Sequence, residues 1–377
     1  RTRTRTRTRQ HAATTIGKQQ ARRPRPKAHG PQAGCAYHRR MKVLPLSLPL
    51  VAALISGCSS LPVNTPRPTV PDTVVMISID GLNVTALGQG NSPHLDRLAG
   101  EGVSAQWMSP SYPSVTFPNH YTMVTGLRPD RHGIVHNQID DAQLGRFELK
   151  DRQALADARW WSDATPLWVH AQRAGLRVAV QAYPGSDAPI GGELVALRQS
   201  FDPSSSLDQR AQTLLGWLAL PQRPHLVLGY FEQVDQAGHY YGPNSPQYAQ
   251  AVRSVDAAVG QVVEGLRQQG QLDRTNLIVV SDHGMAEVPD GQVVAVESMV
   301  APHLARAVSV GQSVGFEPLP GQEVAARQAL LGAHSRYDCW DKQSLPARWQ
   351  YGTHARVPAI ICQMHEGWDA NTAAILA

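Results

Sequence analysis

The first 40 residues contain no aspartate or glutamate. That absence decides how the charge is read. The chain carries a formal +5 from 35 Lys and Arg against 30 Asp and Glu, but 12 of the basic residues lie in the acid-free stretch. Residues 41–377 hold 23 basic against 30 acidic residues, a net of −7, so the basic isoelectric point gives no ground for inferring a nucleic-acid-binding face. Cysteine is scarce, four in 377 residues, which rules out a disulfide framework as the basis of the fold. No internal repeat is evident, which excludes an array or solenoid. Long apolar runs are lacking as well, because the run within residues 41–57 falls short of the ~20 residues a membrane span needs.

With 42% hydrophobic residues, the chain is long enough to bury the core of one large α/β domain or two smaller ones. The opening "RTRTRTRTRQ" and "ARRPRPKAHG" form a low-complexity, apolar-poor run that supplies no core. Residues 1–40 are expected to be a non-native upstream extension or a disordered basic tail. At Met41 the character changes. "MKVLPLSLPLVAALISGCSS" has a lysine beside a methionine, a short apolar run and small residues before a cysteine, the layout of a secretory signal. Its "ISGC" resembles a bacterial lipobox, which implies a signal segment over 41–57, lipidation at Cys58, and an exported lipoprotein of the periplasm or outer membrane. "LPVNTPRPTVPD" is proline-rich, and residues 58–72 read as a tether. Cys35 lies in the basic tail, leaving Cys339 and Cys362 as a pair that an oxidising compartment would allow to join.

From residue 73 onward the pattern is that of a folded domain. "TVVMISIDG" reads as a buried parallel strand presenting Asp80 at its carboxyl end. "NSPHLDRLAGEG" follows as a helix, with Ser92 as N-cap and Pro93 at the first helical position. Further strands are expected in "LRVAVQAY", "HLVLGYFEQVD" and "TNLIVVSDHG". Between the last two, Tyr248, Val252, Val255, Val259, Val262 and Leu266 recur at steps of four and three, marking an amphipathic helix. This alternation argues for an α/β fold built on a doubly wound parallel sheet. Residues 138–165 and 286–350 break the rhythm and are expected to be insertions over the site.

The acidic and imidazole side chains fall where such a sheet binds ligands. Asp80, Asp235 and Asp282 are each placed at a strand end, with His239 four residues after Asp235 and His283 beside Asp282. Beyond the carboxyl ends of parallel strands these five should share one crevice. Three carboxylates there demand a cation, and mixed carboxylate and imidazole donors suit Zn²⁺ or a similar borderline metal. Singly, each has a plain alternative: Asp-Gly is commonly a turn, and an aspartate with a histidine one turn on is commonly an exposed pair. Thr116, in "SVTFPNHYTMVTG", has two readings. Pro118 and the helical stretch after it make Thr116 or Phe117 a plausible N-cap, while a hydroxyl among free helix amides is also well placed to attack a phosphate.

"ISIDG", "PSYPSVTFPNHYTMVTGLRPDRHGIVHN", "DQAGHYYGP" and "SDHGM", in this order, resemble the nucleotide pyrophosphatase/phosphodiesterase branch of the alkaline phosphatase superfamily. The resemblance runs from about Val74 to the C-terminus. It implies two zinc ions, one held by Asp80, Thr116, Asp282 and His283, the other by Asp235, His239 and one more histidine. It also implies that Thr116 is the nucleophile, that Asn137 donates to a non-bridging phosphate oxygen alongside the amides near Phe117, and that Phe117 lines a nucleotide-base pocket, with a buried aromatic as the alternative. The family's last zinc histidine lies in a G-x-H-G-Y-D motif that "NTAAILA" does not reach. The catalytic domain, residues 73–377, is therefore expected to be incomplete at its C-terminus, with His354 structural and His365 a weaker substitute ligand. The expected activity is zinc-dependent hydrolysis of phosphodiester or pyrophosphate bonds of nucleotides through a threonyl-phosphate. A lysophospholipid or glycerophosphodiester substrate stays open, as does a lipid-anchored binder with an incomplete second metal site. A sulfatase is disfavoured, since it needs Cys or Ser followed by x-Pro-x-Arg.

Overall fold

The computed structural model describes residues 73–377; the basic tail, the signal segment with Cys58 and the tether lie outside the described residues. The central sheet takes β1 (Thr73–Ile79), β4 (Val178–Gln181), β5 (Leu197–Gln199), β6 (Leu226–Phe231) and β7 (Thr275–Val280), with β2 (Gln138–Asp141) and β3 (Gly145–Glu148) forming a separate hairpin. The sheet order is β5-β4-β6-β1-β7 and every pairing in it is parallel.

Alternation along these strands serves both faces. Val75, Ile77 and Ile79 pack with Val227 and Phe231 beneath the helices Leu207–Leu218 and Pro246–Gln268. Met76, Leu226, Leu228 and Tyr230 turn the other way, under Tyr121, Trp161 and Trp168. A parallel sheet covered on both sides follows, as the near-continuous apolar runs require. The periodic helix is Pro246–Gln268, and its six marked side chains are all buried. Helix α1 (Pro93–Glu101) does have Ser92 at its N-cap position, yet no side-chain cap forms there. The Ser92 hydroxyl donates to Asp96 instead. Asp256, buried on Pro246–Gln268, accepts from the amides of His94 and Leu95 at 3.1 and 2.8 Å.

Two departures from the sequence reading stand out. Residues 286–350 are not irregular, because they supply four strands of a second five-stranded sheet. Ala305–Ser309, Ser313–Pro318, Gly332–Ala333, Tyr337–Asp341 and Ile360–Met364 pair antiparallel throughout. Its strands are short and interrupted by Gly, Pro and charged residues, so no apolar run announces them. Cys339 and Cys362 lie opposite each other there and form a disulfide. Residues 138–165 supply the β2–β3 hairpin and two short helices that bury Phe147, Trp160 and Trp161. Arg356 ties this region to the chain beyond the second sheet's fourth strand. It donates to Asp141 at 2.8 Å and to the carbonyl of Trp160 at 2.7 Å, with its guanidinium over the Trp160 ring.

Candidate active site and metal centre

Asp80 follows directly on β1 and is buried. Its Oδ2 accepts from the Tyr230 hydroxyl at 2.5 Å. Gly81 then adopts φ +66°, and a Cβ there would lie 2.8 Å from the Asp235 Cα. Only glycine allows that backbone and that approach together. Asp282 lies two residues beyond β7, also buried, with Oδ1 accepting from the Gly81 amide at 3.2 Å.

Asp235 is placed differently from expectation. It does not end a strand; β6 stops at Phe231, and Asp235 sits in the first turn of the helix Gln233–Tyr241. A carboxylate suits that position because the helix N-terminus is electropositive. His239 is one turn on, so the two share a face, with Nε2 at 3.4 Å from Asp235 Oδ1. The His239 side chain is 69% exposed, and the Asp235 carboxylate raises its pKa.

Thr116 opens helix α2 (Thr116–Thr125), whose N-cap is Val115 in extended conformation with no side-chain cap. The hydroxyl is therefore not spent on capping. Its Oγ1 is 3.4 Å from His283 Nε2. Asn137 Oδ1 accepts the Phe117 amide at 2.9 Å. That bond corrects one expectation: the Phe117 N–H is already engaged and Pro118 has none, so Thr116 carries the first-turn amide that remains and the Asn137 side chain keeps its NH₂ as donor. Phe117 is half-buried and leans on Phe147 and Trp161, with ring centroids at 5.8 and 6.0 Å. His354 accepts no place in the cluster. Its amide donates to Asp130 and its Nε2 lies 3.1 Å from Asp163. His365 is on the second sheet's side, 3.3 Å from Asp338.

The donors that converge fit a divalent cation. Asp80 Oδ1, Asp235 Oδ1 and Asp282 Oδ2 are buried and accept no hydrogen bond, an arrangement costly without a positive partner. His283 Nδ1 is 2.9 Å from the Gly284 carbonyl and so carries the proton, which turns the Nε2 lone pair inward. Nε2 lies 3.1 Å from Asp282 Oδ2, 3.4 Å from Asp80 Oδ1 and 3.4 Å from Thr116 Oγ1. Donors about 2.05 Å from a tetrahedral zinc stand about 3.3 Å apart, so each of these three oxygens stands at ligand spacing from His283 Nε2. Burial, and then the charges of Asp282 and Asp235, push the Asp80 carboxyl well above the ordinary range, which a bound cation reverses.

Sequence reasoning missed three residues behind this cluster. Tyr230 holds Asp80, and His120, buried four residues after Thr116, lies 3.3 Å from Asp282 Oδ2. Ser78 contacts His120 at 2.8 Å. A serine inside "VVMISI" was the available signal, since a polar residue in a strand covered on both faces needs a partner.

A family model for type I phosphodiesterase/nucleotide pyrophosphatase matches residues 74–376. An uncharacterized pyrophosphatase/phosphodiesterase of Schizosaccharomyces pombe is 33% identical over 79% of this chain and 64% of its own length. Human ectonucleotide pyrophosphatase/phosphodiesterase family member 5 is 28% identical over 78% of this chain and 62% of its own. The chain thus spans less than two thirds of these two relatives. The solved structure of murine ectonucleotide pyrophosphatase/phosphodiesterase 5, an inactive threonine-to-alanine variant in complex with AMP, superposes with a TM-score of 0.76 at 29% identity, covering 79% of this chain and 80% of that one. The Xenopus laevis protein named bis(5'-adenosyl)-triphosphatase enpp4 is 28% identical over 81% of this chain and 67% of its own length. By its fold, the matched span and the order of its motifs, the chain belongs to the type I phosphodiesterase/nucleotide pyrophosphatase family.

Proposed function

We propose that this chain hydrolyses phosphodiester or pyrophosphate bonds of nucleotides, with Thr116 as the nucleophile. The observation that carries the reading is the convergence of Thr116 Oγ1, Asp80 Oδ1 and Asp282 Oδ2 on His283 Nε2 within 3.4 Å. Two zinc ions, one on Asp80, Thr116, Asp282 and His283 and the other on Asp235 and His239, would supply charge to the attacking and leaving oxygens and lower the hydroxyl pKa.

The chain's own groups account for the rest. Thr116 Oγ, its proton given to solvent, forms a bond to phosphorus as the bond to the leaving oxygen breaks and the electron pair departs with that oxygen. Water then bonds to the same phosphorus, the Oγ–P bond breaks, and Thr116 regains a proton. The Thr116 amide at the electropositive start of α2 and the Asn137 NH₂ face negative charge on the phosphoryl oxygens. The murine relative, solved in complex with AMP as an inactive threonine-to-alanine variant, supports a nucleotide substrate and a threonine nucleophile. The Xenopus relative's name favours a pyrophosphate linkage.

Turnover of p-nitrophenyl thymidine monophosphate against p-nitrophenyl phosphate tests the proposal, with bound zinc counted in parallel. Diester hydrolysis that falls about a thousandfold or more in Thr116→Ala is expected. Undiminished turnover by that variant refutes the assignment, and a preference for lysophospholipid over the nucleotide ester moves the substrate class. One observation favours a binding-only reading: among the described residues, no group of three or more His, Cys, Asp or Glu at ligand spacing includes His239, which pairs with Asp235 alone. A zinc content of one or none, with no turnover, is its signature.

A further inference from the structure

His120 is fully buried and both of its ring nitrogens are engaged. Nδ1 lies 2.9 Å from the Thr116 carbonyl oxygen and 3.3 Å from Asp282 Oδ2. With acceptors on that side, Nδ1 carries the proton, and Nε2 meets the Ser78 hydroxyl at 2.8 Å. The ring stands edge-on between Tyr183 and Tyr230, at centroid distances of 5.2 and 5.0 Å. Those tyrosines are themselves committed. Tyr183 donates to the His120 carbonyl at 3.2 Å, and Tyr230 donates to Asp80.

We propose that His120 is a positioning residue, a strut that sets the nucleophile and the Asp282 carboxylate in register; the proposal rests on the reading of Thr116 and Asp282 given above. The carbonyl it reaches belongs to Thr116 itself, and the carboxylate oxygen beside it is the one turned toward the centre. A single N–H group thus faces both the start of α2 and the end of β7, while Ser78 fixes the far side of the ring to β1. Three elements that arrive from distant parts of the chain meet on one imidazole. A displacement of about 1 Å at such a site costs about a hundredfold in rate. His120 lies close enough to Asp80 and Asp282 to be grouped with them as a ligand. Its Nδ1 proton, aimed at the Thr116 carbonyl, leaves no lone pair on that side, so it supports a ligand and does not act as one.

The test compares His120→Ala, His120→Asn and His120→Gln with Thr116→Ala, measuring kcat, KM, zinc affinity by competition with a chromogenic chelator, and thermal melting. His120→Ala is expected to lower kcat and zinc affinity each about ten- to a hundredfold with KM little changed. The asparagine amide places an N–H near the Nδ1 position and is expected to restore most of both. The glutamine amide reaches the Nε2 position and is expected to restore neither. Equal losses in the Asn and Gln variants, tracking the melting temperature, show a purely structural residue and overturn the proposal. So does loss of one whole zinc equivalent in all three, which makes His120 a ligand. Retained turnover in Thr116→Ala refutes the nucleophile instead, and the zinc affinities of the three His120 variants still decide the strut.

Discussion

Gly81→Ala is the substitution whose consequence the structure specifies most fully. Two penalties arise at once. The backbone φ of +66° is left-handed, and an alanine held there costs about 1–2 kcal/mol. The new methyl also meets the Asp235 Cα at 2.8 Å and Cβ at 2.9 Å. Backbone of a helix cannot rotate away as a side-chain tip does, so overpacking adds about 1–3 kcal/mol. Gly88 and Gly90 provide the control. They sit at φ +72° and +78° with nothing within 4 Å of an added Cβ, so alanine at either carries the conformational penalty alone. Urea unfolding of the three variants is expected to place Gly81→Ala below both controls by about 1–3 kcal/mol. Relief of the clash moves the helix Gln233–Tyr241 off Asp80, so zinc affinity and diester turnover should fall in Gly81→Ala and hold in Gly88→Ala and Gly90→Ala. Equal stability among the three, or unchanged zinc binding in Gly81→Ala, would falsify the claim that this glycine sets the distance between Asp80 and Asp235.

Tyr230→Phe removes the hydroxyl that donates to Asp80 Oδ2; zinc affinity should drop about tenfold while circular dichroism is unchanged, and wild-type affinity counts against the role given to that bond. His132, which burial lowers to about 3 from an ordinary 6.5, stays neutral in the folded chain while the unfolded chain takes up a proton below pH 6.5. A depressed folded pKa contributes stability that is present above the unfolded value and lost as pH falls toward the folded one, about 2 kcal/mol between pH 6.5 and 5. Unfolding free energies should fall over that interval in the wild type and less steeply in His132→Gln; identical slopes reject the assignment. For residues outside the described structure, export and lipidation at Cys58 are proposals from the pattern in residues 41–58. Labelled palmitate should enter the membrane fraction of wild type and not of Cys58→Ser, and label in both points to another site.

How much of this was legible depended on how local the signal was. The parallel strands declared themselves as apolar runs and the helix Pro246–Gln268 by its period, because side-chain burial on each follows from backbone geometry alone. Asp80, Asp282 and His283 were readable for the same reason, each lying within three residues of such a run. Asp235 was assigned to the site but to the wrong element, since "HLVLGYFEQVD" contains no residue that marks where strand yields to helix. The second sheet escaped notice because its strands are short and alternate imperfectly. Asp256 as the cap of α1 was beyond reach, as it comes from 161 residues away along the chain.

Taken alone, the order of residues determined the fold class, the family to which the chain belongs and the acidic and imidazole groups that could meet at the strand ends. Those properties depend on periodicity and on motifs a few residues long. Only the tertiary structure decided that Thr116 is free of capping, that the Phe117 amide is taken by Asn137, and that Ser78, His120 and Tyr230 stand behind the carboxylates. Each of these is a contact between groups that the chain brings together from distant elements or across a helical turn, and no spacing along the sequence encodes which partner a buried donor will find.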